Sequence, residues 1–149
     1  MNGFYGRYLR VDLSSRSFTI EPIEGDVLSR YWGGKGLAAY LLTKLNRPGV
    51  DAFSPENTVI FATGPLGNSM IWGSCRFGVY TKSPLTGLFA ESYCGGKTPD
   101  AIDAAGFDAV VVQGRAAEPT VLAIHPDGAE FHEAGDLWGM QTYAAEEAV

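Results

Sequence analysis

The chain has 149 residues, a formal net charge of −6, a pI near 4.8 and a mean hydropathy of −0.01. This acidic balance provides no positive field for nucleic acid or an anionic membrane. No apolar run approaches the roughly 20 residues of a membrane-spanning helix. We therefore expect one globular domain over residues 1–149, and, since no signal peptide is visible, a cytoplasmic location.

The first half of the chain predicts a hairpin, a helical region and two further strands. Alternating apolar residues predict strands over 8–13 and 18–23, joined by a turn at Ser14-Ser15. Helical spacing follows over 27–32, with Asp26 as N-cap, and over 36–45, where Asn46-Arg47-Pro48-Gly49 ends the helix. Short strands over 58–62 and 76–82 lie on either side of a loop at 67–74.

The second half predicts a short helix, three strands and a terminal helix. Thr98 as N-cap and Pro99 in the first turn predict a helix over 98–105. Core strands are expected over 108–113 and 120–124, with a short return strand over 130–132. Strong helix formers over 141–149 meet no stop signal, so we expect a domain cut short at its C-terminal end. Hairpins with isolated helices indicate an α+β fold that is rich in β-structure, with antiparallel or mixed sheets.

A short pattern occurs twice along the chain. A hairpin, an Asp, Trp32-Gly33 and a helix precede a second hairpin, Asp136, Trp138-Gly139 and a second helix. An internal duplication and a chance similarity of two short segments both explain this pattern.

The segment from Ser83 to Lys97 carries the most functional information. A rigid turn, an extended arm and the pair Gly95-Gly96 together form a surface where backbone amides can approach a large anion. Gly96-Lys97-Thr98 is similar to the end of a phosphate-binding P-loop, but Glu91 stands where that motif needs its first glycine. We therefore reject nucleotide hydrolysis. Gly33-Gly34-Lys35-Gly36 is a second candidate for anion binding, although a glycine turn into a helix explains it more simply.

Arg76 and the two cysteines are the remaining candidates. Arg76 heads a predicted strand, where its guanidinium fork can reach a phosphate or carboxylate, or pair with a surface acid. Cys75 and Cys94 form neither a disulfide framework nor a set with zinc-ligand spacing. No base stands near either thiol in the sequence. We therefore predict no metal ligands and no catalytic residue in this chain.

Taken in order along the chain, a set of motifs resembles the N-terminal domain of the aldehyde ferredoxin oxidoreductase family. The most specific of them is Thr81-Lys82-Ser83-Pro84-Leu85-Thr86-Gly87. The others are Gly6-Arg7, Trp32-Gly33-Gly34-Lys35-Gly36-Leu37-Ala38, Ser54-Pro55-Glu56-Asn57, Gly64-Pro65-Leu66, Arg76, Gly95-Gly96 and Ala105-Gly106-Phe107-Asp108-Ala109.

The resemblance implies a tungsten or molybdenum enzyme. In this family two pterins hold the metal, magnesium links their phosphates, and a 4Fe-4S cluster lies nearby. The N-terminal domain would support the bis-pterin, while downstream domains of the same protein would supply the cluster cysteines and the substrate channel. By this likeness Arg76 contacts the cofactor and Tyr93-Cys94-Gly95 lies along pterin and phosphate, with Gly96 completing the glycine platform. Some relatives have Asn in place of Tyr93 and a small residue in place of Cys94.

The resemblance also implies a reaction. The full-length protein would oxidise aldehydes to carboxylic acids with oxygen from water, passing two electrons through the cluster to ferredoxin. The 149 residues alone are expected to be inactive, and apolar surface left uncovered would favour a homo-oligomer. Two alternatives stay open: another low-potential reaction on the same scaffold, such as reduction of an aromatic acyl thioester, and a non-catalytic module that binds a phosphate ligand.

Overall fold

A computed structural model describes residues 3–149. The described strands are β1 (Arg7–Asp12), β2 (Ser17–Pro22), β3 (Val59–Thr63), β4 (Phe77–Lys82), β5 (Phe89–Cys94), β6 (Ala109–Gln113), β7 (Thr120–His125) and β8 (Gly128–Glu133). The helices are α1 (Val27–Tyr31), α2 (Gly34–Leu45), α3 (Thr98–Ala104) and α4 (Thr142–Ala148), with a 3₁₀ turn at Gly135–Leu137. None of these helices combines the length and the apolar character needed to cross a lipid bilayer.

Six strands form one mixed sheet in the order β2-β1-β6-β3-β4-β5. Strands β1 and β6 run parallel, with Leu9 beside Val110, whereas the other neighbouring pairs are antiparallel. Strands β7 and β8 form a separate two-stranded sheet. The predicted α+β class with mixed and antiparallel sheets is confirmed.

Helices α1 and α2 cover one face of the large sheet. Leu37 and Leu41 of α2 are buried against Tyr8, Ile60 and Tyr80, whose side chains come from three different strands. The apolar residues of α2 recur every three or four positions, so one stripe of the helix faces the sheet. This packing fixes the start of α2 beside the β4–β5 edge.

The opposite face of the sheet packs against the β7–β8 hairpin and α3. Leu9, Phe107 and Val110 are buried there, and Leu122 and Ile102 pack against them. The prediction that 120–124 is a core strand is therefore only partly right. Its residues are half-buried and belong to a hairpin that covers the sheet from outside.

One predicted helix start is wrong, while the extended arm and the other helix start are confirmed. Thr98 is the first residue of α3, and Lys97 occupies the N-cap position without a side-chain cap. The extended arm of the 83–97 segment is the edge strand β5, and its partner is β4. Asp26 does occupy the N-cap position of α1, also without a side-chain hydrogen bond to the helix.

The twice-repeated pattern has the same order of elements along the chain. The β1–β2 hairpin leads through α1 to Trp32-Gly33 and α2, and the β7–β8 hairpin leads through the 3₁₀ turn to Trp138-Gly139 and α4. Trp32 has a left-handed backbone with φ of 58°, whereas Trp138 has φ of −67°. Duplication therefore stays a prediction.

Candidate functional site

A cleft of about 300 Å³ lies where the start of α2, the loop after β3 and the β4–β5 edge meet. Its lining combines glycines, two cationic side chains, two tyrosines and apolar groups. The lining residues are Gly34, Lys35, Ala62, Gly64, Pro65, Leu66, Gly67, Ser74, Arg76, Phe77, Gly78, Tyr80 and Tyr93.

Arg76 stands directly before β4 and is held by the chain around it. Its Nη1 donates a hydrogen bond to the carbonyl of Cys75 at 2.9 Å. Gly95 leaves the space that the guanidinium occupies, because a Cβ on Gly95 would lie 2.6 Å from Arg76 Nη1. The arginine and the glycine platform are thus in direct contact, and the exposed guanidinium keeps donors free for an anion.

Two tyrosines form the floor beside Arg76. Tyr93 lies opposite Gly78 in the β4–β5 ladder, so its ring reaches across β4 toward Tyr80. The two rings meet edge to face with centroids 6.0 Å apart. Burial, and then a side-chain hydrogen bond with Tyr93, raise the pKa of Tyr80, so its hydroxyl is protonated at neutral pH.

Lys35 links the start of α2 to β5. Its Nζ lies 2.8 Å from Glu91 Oε2 and donates a hydrogen bond to Oε1 at 3.0 Å. Tyr93 Oη donates to the same carboxylate at 3.3 Å. The hydrogen bond between the two side chains raises the pKa of Lys35 and lowers the pKa of Glu91. Both groups are therefore charged at neutral pH.

Only some of the residues predicted to contact the cofactor line the cleft. Arg76 and Tyr93 line the cleft, and Gly95 contacts Arg76. Cys94 pairs with Phe77 in the ladder, so its side chain lies on the face opposite to that of Tyr93. The carbonyl of Gly96 accepts a hydrogen bond from the Cys75 thiol. Their assignment as cofactor contacts stays a prediction.

Tyr80 belongs to the cleft although the sequence did not mark it, and Lys35 belongs to the cleft although the sequence marked it only as part of a second candidate. Lys35 stands within the glycine-rich turn that was a second candidate for anion binding, and Gly34 and Lys35 of this turn line the same cleft as Arg76. Tyr80 follows Gly78 by two residues on one strand. This spacing places an aromatic ring beside a position without a side chain.

Metal ligands are not grouped in the described part of the chain. Among residues 3–149, no set of three or more His, Cys, Asp and Glu side chains lies close enough to hold a metal ion. Cys75 and Cys94 are free thiols. The cleft itself offers donors to an anion and aromatic or apolar surface to a ring.

Comparison with known proteins gives the chain its family. The family model for the N-terminal domain of aldehyde ferredoxin oxidoreductase matches residues 8–149. Over 149 residues the chain is 37% identical to the tungsten-containing aldehyde ferredoxin oxidoreductase of Pyrococcus furiosus. The aligned region covers all of this chain and 25% of that protein. It is 31% identical to the WOR-like subunit of an aliphatic sulfonate oxidoreductase of the same organism, covering 94% of this chain and 23% of that protein.

A solved structure shares the fold. The active-site complex BamBC of benzoyl coenzyme A reductase, in complex with 1,5-dienoyl-CoA, matches with a TM-score of 0.94 and 33% identity, covering 99% of this chain and 22% of that one. The chain spans about a quarter of the length of the curated relatives it matches. The resemblance that the ordered motifs indicate is confirmed, and the chain belongs to the aldehyde ferredoxin oxidoreductase family, matching its N-terminal domain.

Proposed function

We propose that residues 1–149 form the cofactor-supporting N-terminal domain of a tungsten-dependent oxidoreductase that oxidises aldehydes to carboxylic acids. The observation that carries this proposal is the cleft that Arg76, backed by Gly95, lines together with the start of α2. Tungsten is favoured over molybdenum because the curated relatives are described as tungsten-containing enzymes. The acceptor in the proposal is ferredoxin, by analogy with the names of those relatives, and the location is cytoplasmic.

The residues of the cleft suit a pterin that carries phosphate. Lys35 and Arg76 are the charged side chains in the lining, and both are cationic, although the whole chain has a net charge of −6. Tyr93 is about half exposed and presents an aromatic surface beside them. A phosphate can therefore meet guanidinium donors while a ring lies on tyrosine and apolar surface.

In this proposal Arg76 binds phosphate, and the arm Tyr93-Cys94-Gly95-Gly96 supports the pterin, partly through its backbone. When bound, the tungsten bis-pterin with its bridging magnesium supplies the two-electron chemistry of aldehyde oxidation. The residues of this chain bind and orient that group. The 4Fe-4S cluster ligands and the substrate channel are assigned to domains outside residues 1–149.

The test is metal loading of the full-length protein with Arg76 replaced. Arg76→Met should lower the tungsten bound per protein several-fold, because the guanidinium is the cleft's bidentate phosphate donor. Arg30→Met is the matched control, since Arg30 is an exposed arginine on α1 that pairs with Asp26. Elemental analysis measures tungsten and molybdenum together, and aldehyde-dependent dye reduction measures turnover. Full tungsten content in Arg76→Met would contradict the assigned role.

A second reaction on the same scaffold is supported by one comparison. The solved relative with a TM-score of 0.94 belongs to a benzoyl coenzyme A reductase and contains a dienoyl thioester. Reduction of an aromatic acyl thioester is therefore the alternative reaction. Substrate profiling of the full-length protein with aldehydes and aromatic thioesters separates the two.

A non-catalytic module that binds a phosphate ligand is the remaining alternative. The cationic cleft fits that function as well, because phosphate recognition requires no redox group. Protein purified from cells supplied with both metals, yet containing neither tungsten nor molybdenum, would favour this alternative over the oxidoreductase.

A further inference from the structure

The cationic lining of the cleft contrasts with the rest of the chain. The 13 lining residues include Lys35 and Arg76 and no Asp or Glu, whereas the chain has 17 acidic residues against 11 basic ones. Like charges that share a cleft raise its potential and favour an anion between them. The two cations come from different elements, α2 and the start of β4, so the fold itself brings them together.

Lys35 is held at the rim by a partner that does not line the cleft. Its ammonium contacts both oxygens of Glu91, at 3.0 and 2.8 Å, while the lysine side chain stays 58% exposed and that of Glu91 32% exposed. Exposed ion pairs of this kind contribute little net stability, because solvent screens them and two long side chains lose freedom. The ammonium can therefore leave Glu91 at small cost.

A phosphate group is a stronger partner for that ammonium than a single exposed carboxylate. It offers more acceptor oxygens and more charge, and within a concave site its hydrogen bonds are screened less than those at an open surface. Gly34, the first residue of α2, lines the same cleft, so the positive end of the helix adjoins the same space.

We propose that Lys35 is an anion-binding residue of this cleft, and that its ammonium exchanges the Glu91 carboxylate for a phosphate group of the bound ligand. Glu91 then holds the lysine at the rim until the ligand arrives. This inference rests on the proposed function, because the ligand proposed there carries phosphate, and it adds Lys35 to Arg76 as a second phosphate contact.

The experiment titrates inorganic pyrophosphate into the 149-residue chain at low ionic strength and follows amide shifts by NMR. Lys35→Met should weaken binding about three- to tenfold, and Glu91→Gln should strengthen it by a similar factor, because the lysine is then released. Lys35→Arg should retain most of the affinity. The effect of Glu91→Gln should largely disappear in the Lys35→Met background, whereas a general charge effect would be additive.

A matched ion pair lies at the other end of the same helix. Lys44 Nζ contacts Glu24 Oε1 at 2.9 Å, and both side chains are exposed. Lys44→Met and Glu24→Gln make the same charge changes away from the cleft and should alter the affinity little. Equal weakening by Lys35→Met and Lys44→Met would overturn the inference, as would unchanged affinity in Lys35→Met.

The variant Arg76→Met separates this inference from the proposed function. If Arg76→Met weakens pyrophosphate binding and Lys35→Met does not, the phosphate cleft stands and the role of Lys35 fails. If neither variant changes binding, or if the unaltered chain binds no pyrophosphate, the role of Lys35 fails, whereas the proposed function is decided separately by the tungsten content of full-length Arg76→Met. Circular dichroism of each variant checks that the chain is folded, and the exposed position of Lys35 predicts that it is.

Discussion

Gly78 provides the space in which the end of the Tyr80 ring lies. The two residues stand two positions apart on β4, and a Cβ on Gly78 would lie 2.1 Å from Tyr80 Oη and 2.3 Å from its Cζ. Tyr80 is 1% exposed and packs under α2, so the ring has little room to move away. The floor of the cleft therefore depends on the missing side chain at position 78.

Gly78→Ala is expected to destabilise the chain. The added methyl group overpacks a buried ring, and changes of this kind cost about 1 to 3 kcal/mol in the free energy of unfolding. Gly25→Ala is the control, since a Cβ there meets nothing within 4 Å and its backbone is not left-handed. Urea unfolding of both variants measures the difference, and equal stability of the two would contradict the packing role of Gly78.

Asp108 stabilises the chain entry to β1 through its carboxylate. It is 5% exposed and accepts hydrogen bonds from the amides of Tyr5, at 3.1 Å, and Gly6, at 2.7 Å. Asp108→Ala leaves both amides without this acceptor and should cost about 2 to 4 kcal/mol. Asp108→Asn keeps one acceptor and should cost less.

The pH dependence of Asp108 has a defined sign. Burial raises the pKa of Asp108 despite the amides that favour its charged form. A carboxyl whose pKa is raised by folding binds a proton more tightly in the folded chain than in the unfolded chain. The folded chain is therefore more stable when this carboxyl is protonated, and it loses that stability as the pH rises through the folded-state pKa. The penalty of Asp108→Asn relative to the unaltered chain should therefore grow as the pH falls, in urea unfolding measured across the acidic range. A penalty that shrinks on acidification would contradict this assignment.

Much of the fold follows from local patterns in the sequence. The alternation around Leu9 and Val11 predicts β1, and the spacing of Leu37 and Leu41 predicts α2, because burial of one face selects these periods. The β7–β8 strands follow from their β-forming residues and the turn residues Pro126-Asp127-Gly128 between them. Their separation from the large sheet does not, because periodicity indicates which side chains are buried and not which strands pair.

The site was predictable in part. The glycine pair and Arg76 indicate an anion surface by residue type alone. The Lys35–Glu91 contact joins residues 56 positions apart, and the sequence contains no local signal for it. The sequence likewise marked Glu91 only as a charge that excludes a P-loop, whereas the structure gives it a partner on α2.

Glu21 provides a prediction for acid conditions. Burial disfavours its charge, but hydrogen bonds from Tyr8 and Thr19 and the nearby Arg10 outweigh burial and lower the pKa of Glu21 below its ordinary value of 4.5. A carboxyl with a lowered pKa in the folded chain stabilises it above the ordinary value, and this contribution is lost as the pH falls through the folded value. Glu21→Gln should therefore be less stable than the unaltered chain above pH 4.5, and this difference should shrink steadily as the pH falls below 4.5.

Thermal unfolding across this pH range tests the role of Glu21. Glu118 is an exposed carboxylate near the start of β7, so Glu118→Gln serves as the control. A stability difference for Glu21→Gln that is constant with pH would show that the hydrogen bonds to Tyr8 and Thr19 do not depend on its charge.

The isolated chain should show no aldehyde-dependent dye reduction. Under the proposed function the cluster ligands and the rest of the pterin contacts lie outside these 149 residues, which span 25% of the Pyrococcus furiosus relative. Electrons then have no path from the cofactor to an acceptor. The assay compares the isolated chain with the full-length protein under the same reducing conditions, and turnover by the isolated chain would disprove the division of roles.

Gly95→Ala is expected to separate ligand binding from stability. The backbone of Gly95 is not left-handed, so alanine is tolerated there, but its Cβ would lie 2.6 Å from Arg76 Nη1. The exposed guanidinium can swing away, and the carbonyl oxygen of Cys75, 3.3 Å from the same Cβ, needs only a small shift, so unfolding should change by less than about 1 kcal/mol. Displacement of the guanidinium should weaken pyrophosphate binding about three- to tenfold, because Arg76 loses its position in the cleft.

Gly64→Ala is the control for this prediction. It adds a methyl group to the same cleft, and the added Cβ meets no atom within 4 Å. Equal loss of affinity in both variants would assign the effect to the methyl group rather than to Arg76.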